Sequence, residues 1–128
     1  MKKLLLILLA MMLLTACGQV KENKQEAVYV NITAAEAKEI MDSQEGYIIL
    51  DTRTQAEFEE EHIPGAMVIS HDEIMDKAEK MLPDKDQLIL VYCRSGRRSK
   101  LAAEDLVKLG YTNIKEFGGI LDWPYETQ

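Results

Sequence analysis

The sequence predicts an α/β fold in which a mostly parallel central sheet is flanked by helices on both faces. Short apolar runs, typical of strands buried on both faces, alternate with segments of helical periodicity. Strands that alternate with helices are typical of parallel sheets, because each helix returns the chain to the same edge. We expect the segment 28–128 to form one domain with one core.

The first half of this segment predicts three strands and two helices. The strand-like runs lie at 28–32, 47–50 and 67–69. Two capping boxes, each a threonine with a glutamate three positions later, predict helices that begin after Thr33 and Thr54. Between the second helix and the third strand, Pro64 and Gly65 predict a turn at 62–66.

The second half predicts two longer helices around the most apolar strand. Apolar residues at three- and four-residue spacing predict a helix from Asp72 to about Leu82. The run Leu88–Tyr92 predicts a strand buried on both faces. The remaining elements are a helix closed by Gly110, a strand at 112–116, a turn at 117–119 and one helical turn at 121–123.

The most specific local pattern is the loop between the strand 88–92 and the helix that follows it. Its residues are Cys93, Arg94, Ser95, Gly96, Arg97 and Arg98, followed by Ser99. A helix N-terminus leaves backbone N–H groups without partners and carries about half a positive charge, so a loop wrapped around it forms an anion-binding cradle. We expect Cys93 to lie at the rim of this cradle, with its thiol largely ionised at neutral pH.

Other residues near the loop have weaker patterns. A cysteine at a strand end is often a buried, unreactive residue, but an apolar core would not accept the three arginines that follow Cys93.

Asp51 and Arg53 follow the strand 47–50, so they should lie at the same edge of the sheet as Cys93. There they could pair with each other, support the cysteine loop, or do both. His62 and His71 lack ligand spacing, and we expect no metal and no other cofactor.

The N-terminal segment predicts export. Residues 1–16 combine a basic start with an apolar run that is too short to span a bilayer, as signal peptides do. The end of this segment resembles the lipobox of bacterial lipoproteins, which implies cleavage before Cys17, acylation of Cys17 and anchoring to a membrane outside the cytoplasm. An ordinary secretory signal is the alternative. Residues 17–27 are polar and predict a tether.

Charge and cysteine content restrict the partners. Cleavage before Cys17 leaves 13 basic and 22 acidic residues, a net charge of −9, which disfavours binding to nucleic acid. With Cys17 acylated, Cys93 is the one remaining thiol, and no intramolecular disulfide can form. Chemistry at Cys93 would then need an outside partner, such as a thiol redox protein.

Four motifs, in order along the chain, resemble the rhodanese-like single-domain sulfurtransferases over nearly all of 29–123. They are Leu50–Arg53 with Glu57 and Phe58, His62–Ala66, Cys93–Ser99, and Phe117–Gly119. The resemblance implies that Cys93 is the nucleophile that takes a sulfur from thiosulfate, a persulfide or a polysulfide and passes it to a thiol. It also implies that loop N–H groups hold the persulfide and that the loop arginines attract the donor.

Two positions depart from the pattern of two-domain relatives that use thiosulfate. Glu57 and Ser95 stand where some of those relatives carry basic residues, which favours a persulfide or polysulfide donor. Cysteine-based phosphatases share the fold but enclose five residues between cysteine and arginine, whereas Cys93 and Arg98 enclose four. A non-enzymatic binding or redox module is the other alternative, and the intact cysteine loop argues against it.

Overall fold

The computed structural model of the chain describes residues 28–128, which form one parallel sheet with helices on both faces. The strands are β1 (Val30–Asn31), β2 (Ile48–Asp51), β3 (Met67–Val68), β4 (Ile89–Cys93) and β5 (Ile114–Gly119). The helices are α1 (Ala34–Ser43), α2 (Gln55–Glu60), α3 (Ile74–Met81) and α4 (Arg97–Lys108), with 3-10 turns at His71–Glu73 and Ile120–Asp122. The strand order is β1-β5-β4-β2-β3, and every pair is parallel, which confirms the predicted fold class.

Two apolar cores lie on opposite faces of the sheet. Alternate residues of β4 point to opposite faces, so Val91 packs in the core beneath α3 and α4, while Leu90 packs in the core beneath α1. All five residues of β4 are buried. Cys93 is therefore fixed by the most deeply buried strand of the domain.

Most local signals in the sequence have the predicted structure. The capping boxes of Thr33 with Glu36 and of Thr54 with Glu57 are both present. The segment 62–66 contains the predicted turn. The strand predicted at 28–32 is shorter, with two paired residues, and the helix predicted from Asp72 begins as a 3-10 turn.

Two predictions around the cysteine loop are wrong. The segment 117–119 is not a turn, because β5 continues to Gly119. The register shows why: Val91 pairs with Glu116, but Cys93 pairs with Gly119, so β5 carries one extra residue there. Gly118, with φ of +89°, allows this bulge. The helix α4 also begins earlier than predicted, so the loop itself is only 94–96.

The features predicted for the N-terminal segment lie outside the described residues. They are the signal peptide 1–16, the acylated Cys17 and the tether 17–27. No helix within 28–128 is long and apolar enough to cross a membrane.

Candidate active site

Cys93 lies at the C-terminal end of β4, directly below the N-terminus of α4. Its Sγ accepts a hydrogen bond from the backbone N–H of Gly96 at 3.0 Å and lies 3.3 Å from the hydroxyl of Ser99. The residue is 0% exposed, so the expectation that Cys93 lies at the rim of the cradle is wrong. The sulfur is covered because β4 is paired with β5 as far as Cys93 itself, and the loop turns back over that end.

Two glycines allow the loop to fold closely over the strand ends. Gly96 is the N-cap of α4 and has φ of +103°, a conformation that residues with a side chain rarely adopt. Gly119 passes beneath the loop so closely that a Cβ at this position would overlap the carbonyl of Arg94. Gly119 is therefore a structural part of the site. The sequence analysis placed Gly119 in a turn and did not predict this role.

A buried carboxylate that the sequence analysis did not select as a site residue lies beside the thiol. Glu116 of β5 is 2% exposed, and its Oε1 accepts hydrogen bonds from the Ser99 hydroxyl at 2.7 Å and from the Gly118 N–H at 2.9 Å. The signal in the sequence is an acidic residue in a strand that enters the core. Such a residue requires polar partners, but the sequence does not say which.

Arg98 forms an ion pair and is not a free cation. Its guanidinium makes a bidentate ion pair with Glu57 of α2, at 2.7 and 2.9 Å. Their side chains are 20% and 24% exposed. Mainly through the hydrogen bond from Arg98, the pKa of Glu57 falls from 4.5 to about 2. The positive charge that Arg98 could offer an incoming anion is therefore largely compensated.

The other loop side chains are placed differently. The side chains of Arg94, Ser95 and Arg97 are exposed to solvent. Gly96 and Ser99 are buried on the inner side, next to the sulfur. The expected cluster of three arginines is thus divided: two stand at the surface and Arg98 is paired with Glu57.

Asp51 and Arg53 pair with each other, which is one of the two roles expected from the sequence. Arg53 is bound to Asp51 by a buried ion pair of 2.7 Å and donates to the carbonyl of Glu61. Asp51 also accepts a 2.6 Å hydrogen bond from the hydroxyl of Tyr92, whose pKa is raised by burial and by this carboxylate. These bonds hold Tyr92, the residue before Cys93, rather than the loop 94–96.

The side chains of the two histidines take part in none of the hydrogen bonds of Asp51 and Arg53. His62 stacks on Phe58, with ring centroids 4.0 Å apart, and its Nδ1 lies 2.8 Å from the carbonyl of Phe58. Within residues 28–128 no three side chains of the metal-binding types are grouped so that they could hold a metal ion.

Comparison with known proteins identifies relatives of this architecture. The family described as rhodanese-like domain matches residues 33–125. The thiosulfate sulfurtransferase PspE of Escherichia coli (strain K12) is 36% identical over 73 residues, which are 57% of this chain and 70% of that protein. The thiosulfate sulfurtransferase GlpE of Coxiella burnetii (strain RSA 331 / Henzerling II) is 34% identical over 97 residues, 75% of this chain and 88% of that protein.

A solved structure has the same arrangement of elements. The structure titled rhodanese with anions from E. coli matches this chain with a TM-score of 0.60 and 32% identity, over 64% of this chain and 96% of that one. Together with the two sulfurtransferases, this likeness supports sulfurtransferase activity in general.

Proposed function

The chain belongs to the rhodanese-like domain family, and we propose that it is a sulfurtransferase whose Cys93 carries the transferred sulfur between a donor and a thiol acceptor. The observation that carries this proposal is the position of Sγ, at the end of β4 and within hydrogen-bond distance of Gly96. The N-terminus of α4 begins immediately beyond it, with no side chain capping its first N–H groups. These groups can stabilise negative charge on a second sulfur atom.

The reaction proceeds in two balanced steps. With a persulfide donor R–S–S–H, the Cys93 thiolate attacks the outer sulfur, the S–S bond of the donor breaks, and the electron pair leaves on R–S⁻. The product is Cys93–S–S–H. The thiolate of an acceptor then attacks this outer sulfur, forms its own persulfide and releases the Cys93 thiolate. No external oxidant or reductant is required.

The ion pair between Arg98 and Glu57 supports a preference among donors. A thiosulfate dianion depends on excess positive charge at the entrance, and Glu57 compensates one of the three loop arginines. A persulfide or polysulfide carries less charge at its reacting end. We therefore propose persulfides or polysulfides as the preferred donors and a thiol, free or on a redox protein, as the acceptor.

The burial of Cys93 adds a requirement for entry of the donor. Since Sγ has no exposed surface, a donor reaches it only after a local movement of the loop 94–96. The exposed side chains of Arg94 and Ser95 leave this part of the cover on the solvent side. We propose that opening of this loop precedes the first chemical step.

The test is formation of a persulfide on Cys93. The full chain, purified in mild detergent because residues 4–14 are apolar, is treated separately with thiosulfate, polysulfide and glutathione persulfide. Intact-mass measurement should show a gain of one sulfur, and peptide mapping should place it on Cys93. The Cys93→Ser variant, which retains Cys17, is the matched control and should gain none. A wild-type chain that gains no mass with any of the three donors would refute the proposal.

We further propose that the domain acts at a membrane surface outside the cytoplasm. The support is the sequence of residues 1–17, in which a basic start and an apolar run lead to Cys17. Acylation of Cys17 would hold the domain beside its donors and acceptors through several acyl chains.

A further inference from the structure

The carboxylate of Glu116 has no part in the sulfur-transfer steps, yet it is buried beside the reacting atom. It lies on β5, the strand paired with the end of β4 that carries Cys93. Burial of a charged carboxylate is costly unless hydrogen bonds stabilise it. The hydrogen bonds that Glu116 receives come from Gly118 and from Ser99, and Ser99 also contacts the sulfur. This chain of contacts links the carboxylate to the thiol.

The direction of the hydrogen bonds follows from the single proton of the Ser99 hydroxyl. Its shortest contact is 2.7 Å to Glu116, whereas the carbonyls of Gly96 and Gly118 lie at 3.2 and 3.4 Å. A bond to a carboxylate is also stronger than one to a neutral carbonyl. The hydroxyl therefore donates to Glu116, which leaves its oxygen lone pairs free to accept the S–H proton of Cys93, whose Sγ lies at 3.3 Å.

The thiol of Cys93 lies between a donor and an acceptor. The N–H of Gly96 donates to Sγ, and the oxygen of Ser99 can accept the S–H proton. Because Cys93 is 0% exposed while the loop is closed, its proton leaves in this state through protein groups rather than directly into bulk solvent. Ser99 offers the hydroxyl oxygen that accepts it, and Glu116 is the base beyond.

We propose that Ser99 and Glu116 form a proton relay for Cys93, in which the hydroxyl passes the thiol proton to the buried carboxylate. The S–H bond breaks and an O–H bond forms on Ser99 as Ser99 releases its original proton to Oε1 of Glu116. The products are the Cys93 thiolate, an unchanged serine hydroxyl and a neutral Glu116. The step reverses when the thiolate takes its proton back. Both residues act through Cys93 and are positioning residues for the proposed sulfur transfer, on which this inference rests.

Arg53 and Arg98, the arginines near the relay that are not exposed, are both held in ion pairs, whereas Arg94 and Arg97 lie exposed at the surface. On α4, the pKa of Arg98 is raised first by its hydrogen bond with Glu57 of α2 and to a lesser degree by the charge of Cys93. At the end of β2, Arg53 is held by its own partner Asp51.

On the side of β1, Tyr29 has a raised pKa, mainly through burial and then through the charges of Glu104 and Glu116. Among the described residues Glu116 takes part in no ion pair. The relay therefore joins Cys93 to a carboxylate that no ion pair compensates, and it predicts that the two groups share one proton.

The test is the pH titration of the thiolate, followed by its absorbance near 240 nm, which requires no reagent to reach the buried sulfur. The full chain is titrated in mild detergent between about pH 4 and 10. The absorbance of Cys93→Ser, titrated in parallel, is subtracted to remove the contributions of Cys17 and the tyrosines. Glu116→Gln preserves the shape of the side chain and removes its charge. Glu104→Gln removes an exposed acid on α4 and is the matched control.

We expect the thiolate signal to rise in two steps in the wild type and in Glu104→Gln, and in one step in Glu116→Gln. Ser99→Ala should change the thiolate fraction in the first step, because it removes the hydroxyl that stabilises the Glu116 carboxylate in one form of the pair and the Cys93 thiolate in the other. A single step in the wild type, or two steps retained in Glu116→Gln, would overturn the relay.

Two controls keep these outcomes interpretable. Circular dichroism identifies a variant that has not folded, and the isosteric Glu116→Gln decides the question even if Ser99→Ala does not fold. The titration needs no sulfur donor. A wild type that gains a persulfide but titrates in one step would refute the relay alone, whereas two steps without persulfide formation would refute the proposed function alone.

Discussion

Replacing Glu57 by glutamine tests how the site selects its donor. The amide keeps the size of the side chain and its place in the capping box with Thr54, but it cannot form the ion pair with Arg98. One negative charge disappears from the entrance, and the guanidinium becomes available to an anion. Both the stability of the fold and the reactivity of the site should change, in directions that the structure specifies.

The stability effect follows from the lowered pKa of Glu57. A fall from 4.5 to about 2 corresponds to at most about 3.4 kcal/mol of stabilisation. Because both side chains are about a fifth exposed, solvent screening reduces this, and we expect about 1 to 2 kcal/mol. A lowered carboxyl pKa stabilises the fold above the unfolded pKa. The deficit of Glu57→Gln should therefore be complete above about pH 5 and disappear as the pH falls towards 2.

The effect on reactivity depends on the charge of the donor. Thiosulfate is a dianion, whereas methanethiosulfonate is a monoanion with the same kind of reacting S–S bond. The added unit of positive charge attracts the dianion with twice the Coulomb energy. If this energy is about 1.4 kcal/mol for thiosulfate, the rate of persulfide formation rises about tenfold with thiosulfate and about threefold with methanethiosulfonate. The logarithms of the two increases should stand in a ratio of about two.

The assay is the second-order rate of mass gain on Cys93 at low ionic strength, measured with each donor. Glu60→Gln, which removes an exposed acid from the same helix, is the matched control and should change both rates little. Arg98→Gln should act in the opposite direction, slowing thiosulfate more than methanethiosulfonate. Equal changes with both donors, or no change in either, would show that the Arg98–Glu57 pair does not set the preference.

Two further predictions concern the loop and the N-terminal segment. Gly119→Ala should lower the free energy of unfolding by about 1 to 3 kcal/mol and slow persulfide formation, because its Cβ would displace Arg94. Gly46→Ala is the control, because its Cβ would meet no atom. In thermal unfolding it should cost about 1 kcal/mol of backbone strain, and it should leave the reaction unchanged. Metabolic labelling with a palmitate analogue should mark the wild type but not Cys17→Ala, and equal labelling of both would refute acylation at Cys17.

The features predicted from the sequence are those that depend on neighbours along the chain. A capping box is satisfied within four residues, so Thr33 and Thr54 begin their helices as predicted. The run Leu88–Tyr92 is apolar on both faces, and burial between two cores is the outcome that such a composition favours. The edge of the sheet at which Asp51 and Cys93 meet follows from the parallel strand order.

The features missed are those decided by contacts between distant segments. The pairing of Cys93 with Gly119 draws the segment 117–119 into β5, although two adjacent glycines are typical of a turn. The same pairing places Arg94 over the strand end and covers the sulfur. Local composition could not show that Glu116 would lie beneath a serine from another element.

These long-range contacts change how the charge of the loop should be understood. Three arginines in five residues suggest a strongly positive entrance, but Glu57 holds Arg98, and Glu116 adds a negative charge on the inner side of the sulfur. The sulfur thus lies between an inner carboxylate and an entrance whose positive charge is partly compensated. A dianion gains less from such a site than from three free arginines, since Glu57 repels it twice as strongly as a monoanion, and Glu116 does so as long as it is charged. In the proposed relay Glu116 also accepts the proton of Cys93, so the carboxylate that disfavours a dianion in the resting site is the base that prepares the thiolate for its donor.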